Sequence, residues 1–251
     1  MFERLKENMR KGAMRRVINV ILDILFPRTC PICQNIVDDR GQKICKKCRP
    51  KIEYIREPIC KKCGKQLDNI VIEYCYDCNK KTHSYDRGVS CFAYKGEMKN
   101  SIYQYKYNNK REYAGFYIEE MIKRQGEQLK RWDPDIIIPI PLYKKRKRRR
   151  GFNQSELIAK GIAGYLEIPI DTAYILRTKN TKPLKKLNDK ERKESLQHAF
   201  IAGEGNCRWE KVLLVDDIYT TGSTIDMVSS LLKSKGVKKV YVLTICIGRG
   251  Y

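Results

Sequence analysis

The sequence predicts an α/β protein, a parallel sheet flanked by helices, with a small cysteine-rich module on its N-terminal side. Three observations carry that expectation. Eight of the eleven cysteines fall into four C-x-x-C pairs between residues 30 and 78. Beyond residue 134, apolar runs of strand length alternate with runs of helix length, the order that gives parallel sheets with right-handed crossovers. One strand-like run, KVLLVDDIYTTGSTID at 211–226, drives straight into two adjacent aspartates and a hydroxyl-rich turn.

The chain has 251 residues and is 42% apolar, enough for a buried core in one large domain or two smaller ones, which excludes wholesale disorder. Its 52 Lys and Arg against 29 Asp and Glu give a formal charge of +23. The run KKRKRRR at 144–150 supplies seven of those cations, yet 45 against 29 remain without it, so the excess is spread over the molecule. A surface this basic attracts polyanions, nucleic acid first among them; the plain alternative is lysine that serves solubility.

The most apolar N-terminal stretch, VINVILDILF at 17–26, is ten residues long with an aspartate inside it. A spanning helix needs about 20. Ile18, Ile21, Leu22 and Leu25 fall at helical spacing, with Arg15, Arg16 and Asp23 elsewhere on the wheel, so an amphipathic helix is expected within residues 1–28. Packing against the protein itself is the favoured role, and peripheral membrane contact the alternative. Pro27, Arg28, Thr29 and Cys30 follow with no small-residue cleavage site, so the expectation is an uncleaved cytoplasmic protein.

In such a compartment the cysteines need a reason other than disulfides. The pairs CPIC, CKKC, CKKC and CYDC begin at residues 30, 45, 60 and 75, a period of fifteen. A C-x-x-C turn can place two thiolates on one metal, and two turns complete the tetrahedral sulfur shell of a structural Zn²⁺. Residues 29–85 are therefore expected to form a double zinc-ribbon module. The simplest assignment is sequential: Cys30, Cys33, Cys45 and Cys48 for one ion, Cys60, Cys63, Cys75 and Cys78 for the other. The spacing also permits an interleaved pairing. With both shells filled by sulfur, the ions are structural, and eight thiolates with two Zn²⁺ lower the formal charge from +23 to about +19. Lys46, Lys47, Lys61, Lys62 and Lys65 are expected to be exposed at the knuckles, facing phosphates or water. Cys91, Cys207 and Cys246 have no partner at metal spacing and read as small apolar residues.

Residues 86–251 are expected to form the second domain. GVSCFAYK at 88–95 reads as a strand, and 97–108 and 112–130 as helices. Met98, Ile102 and Tyr105 share one face of the first; Phe116, Ile118, Met121 and Ile122 line the second. Tyr94, Tyr103, Tyr105, Tyr107, Tyr113 and Tyr117 interleave with Lys99, Lys106, Lys110 and Arg111, a mixture that can stack single-stranded bases. Packing of most of these rings onto the core is the favoured reading. PDIIIPIPL at 134–142 is a strand leaving into a proline-stiffened loop, and 144–150 is a basic loop. GFNQSELIAKGIAGYLEIP is a helix, AYILRT a strand, and KNTKPLKKLNDKERKESLQHAF at 179–200 a long polar segment ending at an apolar entry. VLLVDD is a strand, GSTIDMVSSLLKSKG a helix and KKVYVLTICIG the last strand. Ligands of such sheets bind outside the carboxyl ends of the strands, where both 139–142 and 216–224 lie.

Asp216 and Asp217 are costly at the end of a buried strand unless they hold a diol, a cation or a Mg²⁺-bound ligand. Thr220, Thr221, Gly222, Ser223 and Thr224 open the next helix. Gly222 permits the turn, while backbone N–H groups, hydroxyls and the positive helix end suit a phosphate. Neither G-x-x-x-x-G-K-[ST] nor G-x-G-x-x-G occurs. Acids for a diol beside a cradle for a monophosphate describe a ribose 5-phosphate group.

VLLVDDIYTTGST resembles the fingerprint of the type I phosphoribosyltransferases, which bind 5-phosphoribosyl 1-pyrophosphate (PRPP). The resemblance implies that Asp216 and Asp217 contact ribose, that Thr220, Thr221, Gly222, Ser223 and Thr224 contact the 5-phosphate, and that Mg²⁺ accompanies PRPP. It implies a pyrophosphate loop at Pro139, Ile140, Pro141 and Leu142, and a mobile lid within 178–198. With the cysteine knuckles, RGFNQS at 150–155, LRTKNTKPL at 176–184 and RKESLQHAF at 192–200, the chain from about Leu22 on resembles the ComF (ComFC-type) competence family. That resemblance implies a cytoplasmic factor for natural transformation, acting on incoming single-stranded DNA and with other DNA-uptake machinery. Lys144, Lys145, Arg146, Lys147, Arg148, Arg149 and Arg150 are then candidate DNA contacts. Purine-salvage members of the superfamily carry an aspartate where this chain has Thr220, which weighs against a purine acceptor. Lys185, Lys186, Lys190, Arg192 and Lys193 of the lid are candidates to neutralise departing pyrophosphate. Two further readings stand beside this one: a phosphoribosyltransferase of small molecules, and a PRPP-sensing binder without turnover.

Overall fold

The structure, a computed structural model, describes residues 27–37, 41–179 and 199–248. The amphipathic helix expected within 1–28 and the lid cations Lys185, Lys186, Lys190, Arg192 and Lys193 lie outside the described residues. Among the described residues no helix is long and apolar enough to cross a membrane. The chain divides into two compact units, residues 1–51 and 52–251.

The first unit holds the first cysteine cluster. Its knuckle turns where Gln34 takes a positive φ of 65°, the Cys30 amide donates to Asn35 O, and the Gln34 amide donates back to Cys30 O. Cys30, Ile32, Ile44 and Cys48 are buried, and a 3-10 turn over Arg49–Lys51 follows.

The second unit is built on a four-stranded sheet, all parallel. Its strands are β1 (Arg87–Ala93), β2 (Ile136–Pro139), β5 (Lys211–Tyr219) and β6 (Lys239–Ile247), in the order β1-β6-β5-β2. Val212, Leu213, Leu214 and Val215 of β5 are all fully buried, which requires cover on both faces and explains the unbroken apolar run. Each such side chain contributes about 1.5–3 kcal/mol on burial. Side chains alternate along a strand. Accordingly Ile136, Ile138, Val212, Leu214, Val240 and Val242 share one core with α6 (Ser223–Ser234) and with Cys60, Cys63, Leu67 and Cys75. The alternate residues meet α3 (Tyr113–Trp132) and α5 (Gln154–Leu166), which pack on each other and on the sheet. The second cysteine cluster therefore lies in the same hydrophobic core as the sheet.

The remaining helices are α1 (Tyr76–Lys80), α2 (Gly96–Tyr107) and α4 (Lys144–Arg150). The last corrects the expectation of a basic loop at 144–150. Lys and Arg are good helix formers, and Gly151, at φ 79°, ends the helix by donating its amide to Lys147 O at 2.8 Å. With no apolar stripe to bury, the run carried no periodic signal. A second correction concerns AYILRT. Its strand, β3 (Ile175–Arg177), pairs antiparallel with β4 (Phe200–Ala202) in a separate two-stranded sheet. Leu176 is 49% exposed beside buried Ile175, the one-sided pattern of an antiparallel strand. Tyr105, Tyr113 and Tyr117 are packed in the core, while Tyr103 and Tyr107 are exposed. Cys91 and Cys246 are buried apolar residues as expected, and Cys207 is half-buried.

Lys65 is a third correction: it is buried, not exposed, with its ammonium 2.6 Å from Asp77 Oδ2. A Zn²⁺ with four thiolates carries a net −2, so a cation beside Cys63 and Cys75 offsets charge. Lys62 is half-buried, whereas Lys46, Lys47 and Lys61 are exposed.

The second knuckle meets β1 backbone to backbone. Gly64 has φ 74°, and a Cβ there would lie 2.6 Å from Gly88 O and 2.9 Å from Val89 Cα. The Gly88 amide donates to Lys62 O at 2.7 Å, so neither segment can yield. Gly64→Ala is expected to cost about 2 kcal/mol or more, lowering Tm by roughly 5 °C or more in the zinc-loaded protein. An unchanged melt would mean the two backbones are not in contact.

Candidate functional site

Asp216 and Asp217 follow the four fully buried residues of β5, two residues before the strand ends at Tyr219. Register puts Pro139, the last residue of β2, beside Val215, and the Ile140 amide donates to Val215 O at 2.9 Å. Residues 139–142 and the two acids therefore share one sheet edge. Asp217 is buried and forms an ion pair with Lys106, from the last turn of α2, at 2.8 Å. Both side chains are largely shielded, 13% and 16% exposed, so water screens the pair poorly. Asp216 Oδ1 accepts from Ser155 Oγ at 3.0 Å and from the Asp217 amide at 2.8 Å. Burial, then the neighbouring Asp217 charge, push the Asp216 carboxyl up to about 7 from an ordinary 3.8. Two guanidinium groups add to the field around the acids. Arg150 interacts with Asp217, while Arg177 interacts with both Asp216 and Arg146.

The segment RGFNQS is the bracket that holds these parts together. The Phe152 ring packs on Tyr105 at 5.4 Å and carries the Arg111 guanidinium at 5.0 Å. Asn153, at the cap of α5, donates from Nδ2 to Ile140 O at 3.0 Å and so fixes the 139–142 turn. Gln154 is fully buried; it accepts from Arg150 through its side chain and from the Tyr105 hydroxyl through its carbonyl. Ser155 reaches Asp216. Four consecutive residues thus tie α2, α4, the 139–142 turn and the acid pair into one arrangement. The sequence marked RGFNQS as a family signature but gave no role to Asn153, Gln154 or Ser155. Lys106 stands in the sequence among the tyrosines and shows no sign of its role, because its partner lies more than a hundred residues away.

The hydroxyl-rich turn follows the acids directly. Gly222 has φ 73° and caps α6; a side chain there would run into the Tyr219 hydroxyl. Thr221 and Ser223 bond to each other at 2.9 Å, and Thr220 and Thr221 are exposed. Beneath the turn, Tyr219 shares a buried hydrogen bond of 2.8 Å with Tyr85. Asp226, in the first turn of α6, accepts from Lys81 Nζ at 2.7 Å, lies 2.8 Å from His83 Nδ1, and accepts from the Ser84 amide at 3.1 Å. Burial opposes its ionisation, but His83 and Lys81 hold its carboxyl below the ordinary value. The helix that opens on the hydroxyl turn is thus anchored to the segment leaving the second cysteine cluster.

Both cysteine clusters fit zinc. The Sγ atoms of Cys30, Cys33, Cys45 and Cys48 lie within 4.8 Å of one another, as do those of Cys60, Cys63, Cys75 and Cys78. A tetrahedral shell with Zn–S of about 2.3 Å has sulfur–sulfur edges of about 3.8 Å. Cys33 and Cys45 stand 3.8 Å apart, and Cys63 and Cys75 3.7 Å. The pairing is therefore sequential, not interleaved, and each set joins two consecutive C-x-x-C turns.

A family model for a double zinc ribbon domain matches residues 21–79, and one for a phosphoribosyl transferase domain matches residues 153–250. Competence protein F of Haemophilus influenzae is 32% identical over 171 residues, covering 63% of this chain and 72% of that protein. DNA utilization protein YhgH of Escherichia coli (strain K12) is 31% identical over 173 residues, covering 66% and 74%. Competence protein ComFC of Streptococcus pneumoniae is 31% identical over 153 residues, covering 59% and 63%. A purine phosphoribosyltransferase structure from Pyrococcus horikoshii is 21% identical with a TM-score of 0.34, covering 52% of this chain and 72% of that one, a likeness too slight to argue from.

Two outcomes follow from this geometry. Metal analysis of purified protein is expected to give two zinc ions per chain, and Cys60→Ser with Cys63→Ser to give one; no bound metal in the unaltered protein would overturn the assignment. For Asp216, a raised pKa means the folded state holds more protons than the unfolded chain between about pH 4 and pH 7. Its contribution to stability therefore falls as pH rises through that window. Asp216→Asn is expected to raise Tm at pH 8, with the gain shrinking as pH is lowered towards 4. A gain independent of pH would reject the charge-strain account.

Proposed function

Because this chain belongs to the ComF (ComFC-type) competence family, we propose that it binds PRPP with Mg²⁺ and single-stranded DNA, as a cytoplasmic factor in DNA uptake. The observation that carries the PRPP reading is the pair of adjacent carboxylates, one of them buried, near the end of a central strand and beside a hydroxyl-rich helix start. In this reading Asp216 and Asp217 hold the ribose hydroxyls. Thr220, Thr221, Gly222, Ser223 and Thr224 surround the 5-phosphate, which gains the exposed N–H groups and positive end of α6. Pro139, Ile140, Pro141 and Leu142 face the pyrophosphate. The donor set fits Mg²⁺ as well, since hard carboxylate oxygens are its ordinary protein ligands. When bound, the ion offsets charge on the pyrophosphate. The cations Lys106, Arg150 and Arg177 supply further positive charge at the same edge.

DNA contact is supported by the formal charge of +23 and by α4, whose seven consecutive cations have no buried member. Whether the bound PRPP is turned over is a separate matter. Thr220 offers no carboxylate to act on a purine base, so a base-exchange reaction of the purine-salvage kind has no acid at that position. Pyrophosphate release from PRPP, alone and with single-stranded DNA, separates an enzyme from a binder.

Asp216→Asn with Asp217→Asn tests the site. Each charge-assisted hydrogen bond lost is worth about 1.5–3 kcal/mol, so PRPP affinity in the presence of Mg²⁺ is expected to fall by roughly 100-fold or more by calorimetry. Zinc content should stay unchanged. Retained affinity in the double variant would reject the ribose assignment.

A further inference from the structure

Helix α2 has two opposite faces. Met98, Ile102 and Tyr105 are buried, whereas Tyr103 and Tyr107 are 54% and 53% exposed. These two rings stand one helical turn apart with centroids 5.0 Å from each other, inclined by 45°. The Arg150 guanidinium lies 5.0 Å from the centre of the Tyr107 ring and continues the row. Arg150 is the last residue of α4, which brings six further cations, Lys144 to Arg149, to the same neighbourhood. Lys106, between the two tyrosines in sequence, reaches Asp217. The row of rings and guanidinium therefore ends at the acid pair.

Core packing does not account for this row, since both rings are half in water. Solubility does not account for it either, since it places large aromatic surface beside cations. Two π faces in series next to a cationic helix match one class of partner, a polyanion with exposed flat bases. Base stacking on aromatic side chains is tolerant of sequence and requires the base faces to be free, as they are in a single strand. A duplex hides those faces, and an acidic peptide offers charge without rings.

We propose that Tyr103, Tyr107 and Arg150 form a stacking platform for successive bases of single-stranded nucleic acid, with its phosphates on the cations of α4. The proposal rests on the DNA-binding reading above and gives it a location, at the rim of the Asp216–Asp217 site.

The test is anisotropy of a labelled oligo-dT strand and of a matched duplex, titrated with zinc-loaded protein across salt concentrations. Tyr103→Ala with Tyr107→Ala is expected to weaken single-strand binding about tenfold or more, leaving the salt slope and duplex binding unchanged. Tyr103→Phe with Tyr107→Phe should bind as the unaltered protein does. Lys145→Ala with Arg148→Ala should instead flatten the salt slope by roughly 0.7 for each phosphate contact removed. PRPP affinity is expected to survive the tyrosine substitutions. If the unaltered protein binds no single strand, the DNA reading itself fails and the platform with it. If it binds but the alanine pair binds equally well, or loses single strand and duplex alike, the platform is wrong while the DNA reading stands.

Discussion

Two adjacent carboxylates near the end of a strand buried on both faces set the terms for the rest of this molecule. Neither acid can turn wholly to water, and the Asp217 charge raises the cost of ionising Asp216. The fold meets that cost from several directions: Lys106 from α2, Ser155 from α5, a backbone amide, and the field of Arg150 and Arg177. These groups come from elements scattered across more than a hundred residues. Holding them in place is what RGFNQS does, through Asn153 on the 139–142 turn and Gln154 against α2. The strain retained at Asp216 is of the kind expected where a site is kept ready for a ligand.

The second cysteine cluster belongs to the same account. Its cysteines share a core with β2, β5, β6 and α6, and the chain leaving it bonds to Asp226 through Lys81, His83 and Ser84. Tyr85 then meets Tyr219 directly beneath the hydroxyl turn. A metal that rigidifies this knuckle therefore also limits the freedom of the helix start that would take a phosphate. A structural zinc at this position would act on the candidate site from a distance, by holding the backbone that the site is made of.

What the sequence made legible, and what it did not, follows from the range of each interaction. The cysteine pairs, the apolar run of β5 and the hydroxyl turn are local patterns, readable within a dozen residues, and the fold class followed from their order. The Lys106–Asp217 and His83–Asp226 contacts join residues more than a hundred positions apart, and no local period announces them. Lys65 looked like any exposed knuckle lysine, because its burial depends on Asp77 and on thiolates that converge only in three dimensions. Helix α4 was hidden for a different reason: periodicity detects helices by the face they bury, and this one buries none. The strand at 175–177 was legible as a strand but not as an antiparallel one, since its partner at 200–202 lies beyond a long polar segment.

Charge placement narrows what kind of ligand the site can take. The acids are two and central; the cations Lys106, Arg150 and Arg177 stand around them. A simple cation would satisfy the acids and be repelled by the rim. A simple anion would satisfy the rim and be repelled by the acids. A ligand suited to both must bring hydroxyls or a bound cation to the centre and negative charge to the periphery, which is the pattern of a sugar phosphorylated at more than one position. Lys106 makes that requirement mechanical as well as electrostatic. Its ammonium occupies one oxygen of Asp217, so a diol that takes that oxygen must share it or displace the lysine side chain, which leaves the last turn of α2 beside the Tyr107–Arg150 contact. In the proposed reading the platform and the acid pair meet at Lys106, which reaches Asp217 and neighbours Tyr107, and any coupling between the two ligands there acts equally in both directions.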